Sequence, residues 1–302
     1  MKPELLVVGS VAFDTIETRA GKREEILGGA ATFISLAASH FCPVNLVAVV
    51  GKDDFPDKHV QLLESKGVDV RGLERAPGKT FRWSGVYAED FSSRTTLDTQ
   101  LGVFETFDPK IPPEYLESRY VLLGNIHPGL QLKVLDKLSE ESYVAADTMN
   151  LWIDTTPDEL GEVIRRVNLL IINDEEAMML TGERQIIRAA LQILDQGPES
   201  LIIKRGEHGA YLFTKDSVFF APAILLPEVV DPTGAGDTFA AGLLGHLTGQ
   251  DSVTTTTIKT GMIYGAASAS LTVEGFGVDK LTTLSRKALE KRFQDLRDLV
   301  SI

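Results

Sequence analysis

The sequence predicts an α/β fold: a mainly parallel central sheet between two layers of helices, with a small β-sheet lid. Three observations carry this reading. Short apolar runs rich in β-branched residues recur along the chain, segments with helical spacing separate them, and two Thr-, Val- and aromatic-rich stretches interrupt the alternation. Strands that are apolar on both faces need cover on both faces, which is the situation of parallel strands between helices.

In chain order, "ELLVVGS" (4–10) and "VNLVAVVG" (44–51) open the sheet, and residues 11–27 between them read as the first lid segment. "PDKHVQLLESKG" (56–67) carries its apolar residues at helical spacing. Residues 80–107, "TFRWSGVYAEDFSSRTTLDTQLGVFETF", show rough alternation and predict antiparallel strands that complete the lid. A decorative edge hairpin is the alternative, since inserted loops of this kind often carry no function. The strands "YVLLGN" (120–125), "YVAADT" (143–148), "LLIIN" (169–173) and "SLIIKRG" (200–206) then alternate with the helices "TPDELGEVIRRV" (156–167) and "IIRAALQILDQG" (186–197). "GAYLFTKDSVFFAPA" (209–223) predicts a hairpin, and 254–274 and 284–300 predict closing helices. No internal repeat or low-complexity linker divides the chain, so residues 1–302 are expected to form one α/β domain with its lid.

A chain of 302 residues with 43% hydrophobic content can bury a substantial core. Its net charge of −13 opposes nucleic acid and anionic membrane surfaces, and no basic run reverses it locally. A small molecule is the expected partner. Cys42 is the single cysteine, so neither an internal disulfide nor a Cys-based zinc site can be built from this chain, which suits a reducing cytosol. The N-terminus lacks a long apolar core or cleavage site, and no run approaches the roughly 20 apolar residues of a membrane span. A soluble, cytoplasmic protein is expected.

Ligands of open α/β sheets sit beyond the carboxyl ends of the strands. Asp14, Asn125, Asp147 and Asn173 fall at or just after such ends and outline a pocket rim. The richest stretch is "DPTGAGDTFAAGLL" (231–244). Gly234, Ala235 and Gly236 make a turn of backbone N–H groups at the start of an apolar helix, a site for an anion and for charge developing on a transferring phosphoryl group. A carboxylate beside that turn would repel a phosphate unless it had its own task. Asp237 can accept the proton of a substrate hydroxyl as it attacks the phosphate, with Mg²⁺ neutralising charge between the attacking and leaving oxygens. The plainer reading is an acid that stabilises a helix start. Asp231 and Thr233 either bind a cation or close an Asx-type turn with Pro232. No P-loop, dinucleotide fingerprint, nucleophile elbow or H-E-x-x-H helix occurs in the chain, which removes the main support for a dehydrogenase or an α/β-hydrolase.

These residues resemble the C-terminal signature of the PfkB, or ribokinase-like, carbohydrate kinases. "EILGGAATFISLAASHF" (25–41) is similar to their N-terminal Gly-Gly signature, "NDEEAMMLTG" (173–182) to their N-x-x-E, and "IIKRGEHGAYLF" (202–213) to their K-x-G-x-x-G, all in family order. The resemblance implies a ribokinase-like three-layer fold, with Asp237 as catalytic base and the N–H groups of Gly234, Ala235 and Gly236 as anion hole. It implies that Asn173 and Glu176 help place Mg²⁺ and the phosphates, with Glu176 acting on the metal indirectly. Lys204, Gly206, Gly209 and the region near 263–277 would border the ATP. Many relatives take a monovalent cation at the positions of Asp231 and Thr233, so K⁺ is an optional activator.

On the substrate side the resemblance assigns Asp14 to sugar hydroxyls, and an ionised carboxylate can accept two such bonds; a solvated loop acid is the alternative. Gly28 and Gly29 would let the backbone touch the substrate or simply turn the chain. Asn125 is either a substrate contact or a strand-end cap. Many relatives carry Asn where this chain has Phe33, and an aromatic ring cannot replace an amide; it stacks on a base or ring face, or packs in the helix. In the lid, Trp83 and Tyr87 either cover a substrate or pack locally, and Arg82 and Arg94 either bind a second phosphate or face solvent. The implied activity is ATP-dependent phosphorylation of an alcohol on a sugar or sugar-like molecule. The alternatives are a nucleoside kinase of the same family and an inactive nucleotide-binding regulator, and a homodimer formed through the lid is an option.

Overall fold

The computed structural model describes residues 4–301. The chain opens with β1 (Leu5–Val8), β2 (Ala12–Thr18), β3 (Gly21–Gly28), α1 (Ala30–Ala38), β4 (Val44–Gly51), α2 (Asp57–Ser65) and β5 (Val68–Ala76). β6 (Phe81–Tyr87) and β7 (Arg94–Gln100) follow, then β8 (Tyr120–Leu123), α3 (Pro128–Leu135), β9 (Tyr143–Asp147), α4 (Asn150–Thr155) and α5 (Pro157–Arg166). Next come β10 (Leu169–Asn173), α6 (Asp174–Thr181), α7 (Ile186–Leu194), β11 (Ser200–Lys204), β12 (Ala210–Thr214) and β13 (Val218–Ala221). Four helices close the chain: α8 (Ala235–Thr248), α9 (Thr255–Thr272), α10 (Asp279–Thr283) and α11 (Arg286–Val300).

Nine strands form the central sheet in the order β13-β12-β11-β10-β9-β8-β1-β4-β5. From β5 to β11 every pairing is parallel, and the β11–β12–β13 end is antiparallel. Alternate residues of each strand feed opposite layers, as a period of two requires. Leu5, Val7, Leu46, Leu122 and Ile171 pack towards α1, α8, α9 and α11. Leu6, Val8, Val47 and Leu123 pack towards α3 and α5, and Leu170, Ile172 and Ile203 towards α5 and α7. Strand β5 escaped the sequence reading. It is the sheet edge, its half-exposed surface carries Arg71, Glu74 and Arg75, and such charges erase the apolar signal of a buried strand.

The lid is a four-stranded sheet in the order β3-β2-β6-β7. It differs from expectation in one pairing. The β2–β3 and β6–β7 hairpins are antiparallel, but β2 and β6 run parallel, Ala12 opposite Phe81, because both strands leave the main body in the same direction. Alternation reports which faces are covered and not which way a neighbour runs. The segment also ends earlier as a strand than expected, since Gly102–Thr106 is a 3-10 turn whose Phe104 stacks between Phe81 and Phe107. Among the described residues, no helix is long and apolar enough to cross a membrane.

Helix α8, which begins at the glycine turn, is held by an unusually close crossing with α9. A Cβ at Gly242 would lie 2.6 Å from Ser268 Oγ and 2.8 Å from the Tyr264 carbonyl oxygen, and one at Gly265 would lie 2.6 Å from the Phe239 carbonyl oxygen. Gly265→Ala must therefore push the helix backbones apart, and the expected loss is about 1–3 kcal/mol by denaturant unfolding; a variant as stable as the parent would mean that the crossing is loose.

Candidate active site

The site begins with a turn that only glycine can make. Gly234 caps α8 in the left-handed region, with φ 76°, and a Cβ there would stand 2.3 Å from the Phe33 ring. The first-turn N–H groups of α8 thus open on a surface free of side chains, at the positive end of the helix dipole, with Asp237 in the same turn. Phe33 is 1% exposed and lies beneath this turn. Its assignment to substrate is corrected: no ring face is open for stacking, and the ring lies under the backbone of the Gly234 turn.

Asp231 fixes the turn from behind. It is fully buried; Oδ1 accepts the Thr233 N–H at 2.9 Å and Oδ2 accepts the Gly277 N–H at 2.8 Å. This is the Asx-type turn, extended by a second backbone donor from the segment after α9. Thr233 Oγ1 pairs with the Tyr87 hydroxyl of lid strand β6 at 3.0 Å. The two residues assigned to a monovalent cation are thus engaged within the protein, in a clamp that joins turn, lid and the end of α9. Among the described residues, no group of three or more His, Cys, Asp or Glu is arranged to hold a metal ion.

Around Asp237 lie one lysine and three further acids. Lys204, the last residue of β11, holds Asp147 Oδ2 at 3.3 Å, and its Nζ lies 3.0 Å from where a Cβ on Gly236 would stand. The ammonium therefore lies beside the anion turn. Burial opposes its charge, but Asp147, Glu176 and Asp237 outweigh burial and raise its pKa. Asp237 is pushed up to about 7, first by burial and then by the charge of Asp147, with Lys204 partly offsetting both. Glu176 is also raised, by burial and by Asp147. It sits in a capping box at the start of α6, where Asn173 Oδ1 accepts the Glu176 N–H at 2.7 Å and Glu176 Oε2 accepts the Asn173 N–H at 2.8 Å. Asn173 and Lys204 are register partners across β10 and β11, which is how two distant motifs meet.

Asp147 is the residue that sequence reasoning undervalued. Its place at the end of β9 put it on the rim, but nothing local announced that it would face Lys204 and share the field of Asp237 and Glu176. Gly206 and Gly209, in the turn after β11, both have positive φ, 53° and 81°, and a Cβ on Gly209 would strike the Ala221 carbonyl oxygen.

On the acceptor side Asp14 is 5% exposed, and burial pushes it up to about 7 despite the Gly29 N–H that bonds it. Gly28 makes room for it: a Cβ there would be 2.0 Å from Asp14 Oδ2. Gly29, with φ 87°, starts α1 against the Ser10 carbonyl. The two glycines make room for the carboxylate and for the chain turn. Asn125 is a strand-end fixture, because its Oδ1 accepts the Trp152 indole N–H at 2.8 Å and its Nδ2 lies 3.1 Å from Met149 Sδ. Arg82 is likewise spoken for, paired with Asp54 at 2.7 Å and Glu25 at 2.9 Å. Arg94 behaves differently: its charge acts on Asp14, Glu176 and Asp237 and lowers the pKa of all three relative to burial alone.

Comparison with known proteins fits this arrangement. The sequence model of the pfkB family carbohydrate kinases matches residues 2–283. A cytidine kinase of Thermococcus kodakarensis is 32% identical over 254 residues, 80% of this chain and 87% of that protein. The fold superposes on a nucleoside kinase of Burkholderia thailandensis in complex with inosine, with a TM-score of 0.80 at 21% identity over 96% of this chain and 97% of the other. It also superposes on Arabidopsis thaliana ribokinase complexed with ribose and ATP, with a TM-score of 0.78 at 22% identity over 97% and 99% of the two chains.

The electrostatics can be tested without reference to any reaction. Lys204 stabilises the ionised form of Asp237, so Lys204→Met should move the Asp237 titration, followed by carbon NMR of labelled aspartate, above its value of about 7. A titration that stayed in place or moved down would place Lys204 outside the reach of Asp237.

Proposed function

The chain belongs to the pfkB family of carbohydrate kinases, and from that membership we propose that it transfers the γ-phosphoryl group of ATP to a ribose hydroxyl of a nucleoside. The observation that carries the chemistry is Asp237: a carboxylate raised to about 7, in the first turn of α8, beside backbone donors and Lys204 and within the field of Asp14. Asp237 takes the proton of the acceptor hydroxyl, the freed oxygen bonds to the γ-phosphorus, and the bond to the β–γ bridging oxygen breaks to release ADP. The N–H groups of residues 234–236 and the Lys204 ammonium stabilise negative charge on the transferring group. Asp14 holds acceptor hydroxyls, and the Gly206–Gly209 turn and the 263–277 region border the nucleotide. Two buried acids, one of which (Glu176) is raised by burial and by the charge of the other, are a donor set suited to Mg²⁺ alongside phosphates, so Asp147 and Glu176 would hold it, directly or through water, where it would supply positive charge to the phosphates.

One observation favours a nucleoside over a free sugar: the cytidine kinase is a relative at 32% identity over 80% of this chain. A second copy would add at β7, the lid edge whose seven residues are all exposed.

The test is ADP release from Mg²⁺-ATP with pooled nucleosides, free sugars and sugar phosphates, with and without K⁺. Nucleosides should be turned over, and Asp237→Asn should lose at least about a hundredfold, the lower range for a positioned general base, while binding ATP within a few-fold of the parent. A base must be ionised to work, so the rate should fall as pH drops below about 7. Parental activity in Asp237→Asn would refute the base; turnover of free sugars alone would refute the acceptor.

A further inference from the structure

The lid carries one aromatic plate that phosphoryl transfer leaves without a task. Trp83 on β6 is opposite Asp14 in the parallel β2–β6 register, so the two side chains stand on the same face of the lid. Tyr87, two positions further along the same face, reaches Thr233 beside the anion turn, and Arg94, paired with Tyr87 across β6 and β7, acts on Asp14 and Asp237. This face is therefore the one turned to the reacting groups. The Trp83 ring lies where any other residue at position 85 would place its Cβ, 2.3 Å from Cζ2 and Cη2. Its indole N–H donates to Thr96 Oγ1 at 3.2 Å, and the Arg94 guanidinium carbon is 5.1 Å from its ring centroid. An indole so immobilised, yet only half-buried, is a preformed surface and not part of a core.

We propose that Trp83 is the platform on which the planar base of the acceptor stacks, and that it selects nucleosides over free sugars. This rests on the nucleoside reading and deepens it. Neighbouring strands are about 5 Å apart, comparable with the distance from a ribose hydroxyl oxygen across the ring to the glycosidic nitrogen, so an acceptor whose ribose hydroxyls lie on Asp14 carries its base over the adjacent strand, at Trp83. Gly85 keeps the ring flat on the lid, and Thr96 fixes its rotation. A base stacked there gains affinity with little ordering cost, because the plate is already in place.

Binding and turnover separate this proposal from the reading beneath it. Trp83 and Trp152 are the only two tryptophans, so Trp83→Phe leaves Trp152 as the sole indole reporter. Cytidine titrated without ATP should quench the parent's tryptophan fluorescence, ribose should not, and the quench should vanish in Trp83→Phe. In kinetics, Trp83→Leu should raise KM for cytidine tenfold or more with KM for ATP unchanged, and Trp83→Phe, which keeps a ring, should recover most of the loss. A quench that persists in Trp83→Phe, an equal quench by ribose, or a KM for cytidine in Trp83→Leu within twofold of the parent would overturn the platform. Nucleosides that quench Trp83 but are never phosphorylated would overturn the acceptor reading and leave the platform standing. Nucleosides that are phosphorylated without quenching it would do the reverse.

Discussion

The site depends on a buried carboxylate that holds backbone in place, Asp231. Asp231 has no solvent exposure, and each of its oxygens holds one backbone N–H, Thr233 on one side and Gly277 on the other. Removing either donor would leave a buried charge unpaired, so the two segments are held at fixed separation. Three parts of the molecule meet here. Thr233 leads into the anion turn and reaches Tyr87 of the lid; a Cβ at Gly277 would press on Ile26 of β3; and the Val230 carbonyl accepts the Thr18 hydroxyl of β2. The lid, the helix start and the end of α9 are registered against one another through a single side chain.

The electrostatics follow from crowding acids around one lysine. Burial raises Asp14, Glu176 and Asp237; Lys204 offsets part of this at Glu176 and Asp237, and Arg94 at all three. The result is a set of carboxyls poised near neutrality, where small changes in local charge shift a proton. On the proposed reading, phosphates and a dication beside Asp237 would alter that charge directly and so shift its proton affinity.

Most of the central sheet was legible in the sequence, because strands covered on both faces leave continuous apolar runs. β5 was not, since an edge strand is under no such pressure. The local setting of Asp237 was legible because its parts are adjacent in the chain: a glycine turn, a helix start and an acid. The Lys204–Asp147 pair was not, because its members lie 57 residues apart and meet only through the ordering of β9, β10 and β11. Phe33 teaches a third lesson. Its position at the start of α1 was read correctly, but whether a ring there faces a ligand or the underside of Gly234 depends on where α8 comes to rest, and no local pattern encodes that.

The parallel β2–β6 pairing bears on how the chain reaches this state. A lid made of two hairpins might be expected to form early from local contacts, but its central seam joins Ala12 to Phe81, with β4, α2 and β5 intervening in the chain. The seam closes only after the main sheet has brought those strands together, and closing such a long loop early would carry an entropic cost without compensating contacts. The lid's central seam is accordingly expected among the last contacts to form, after the main sheet that brings its strands together.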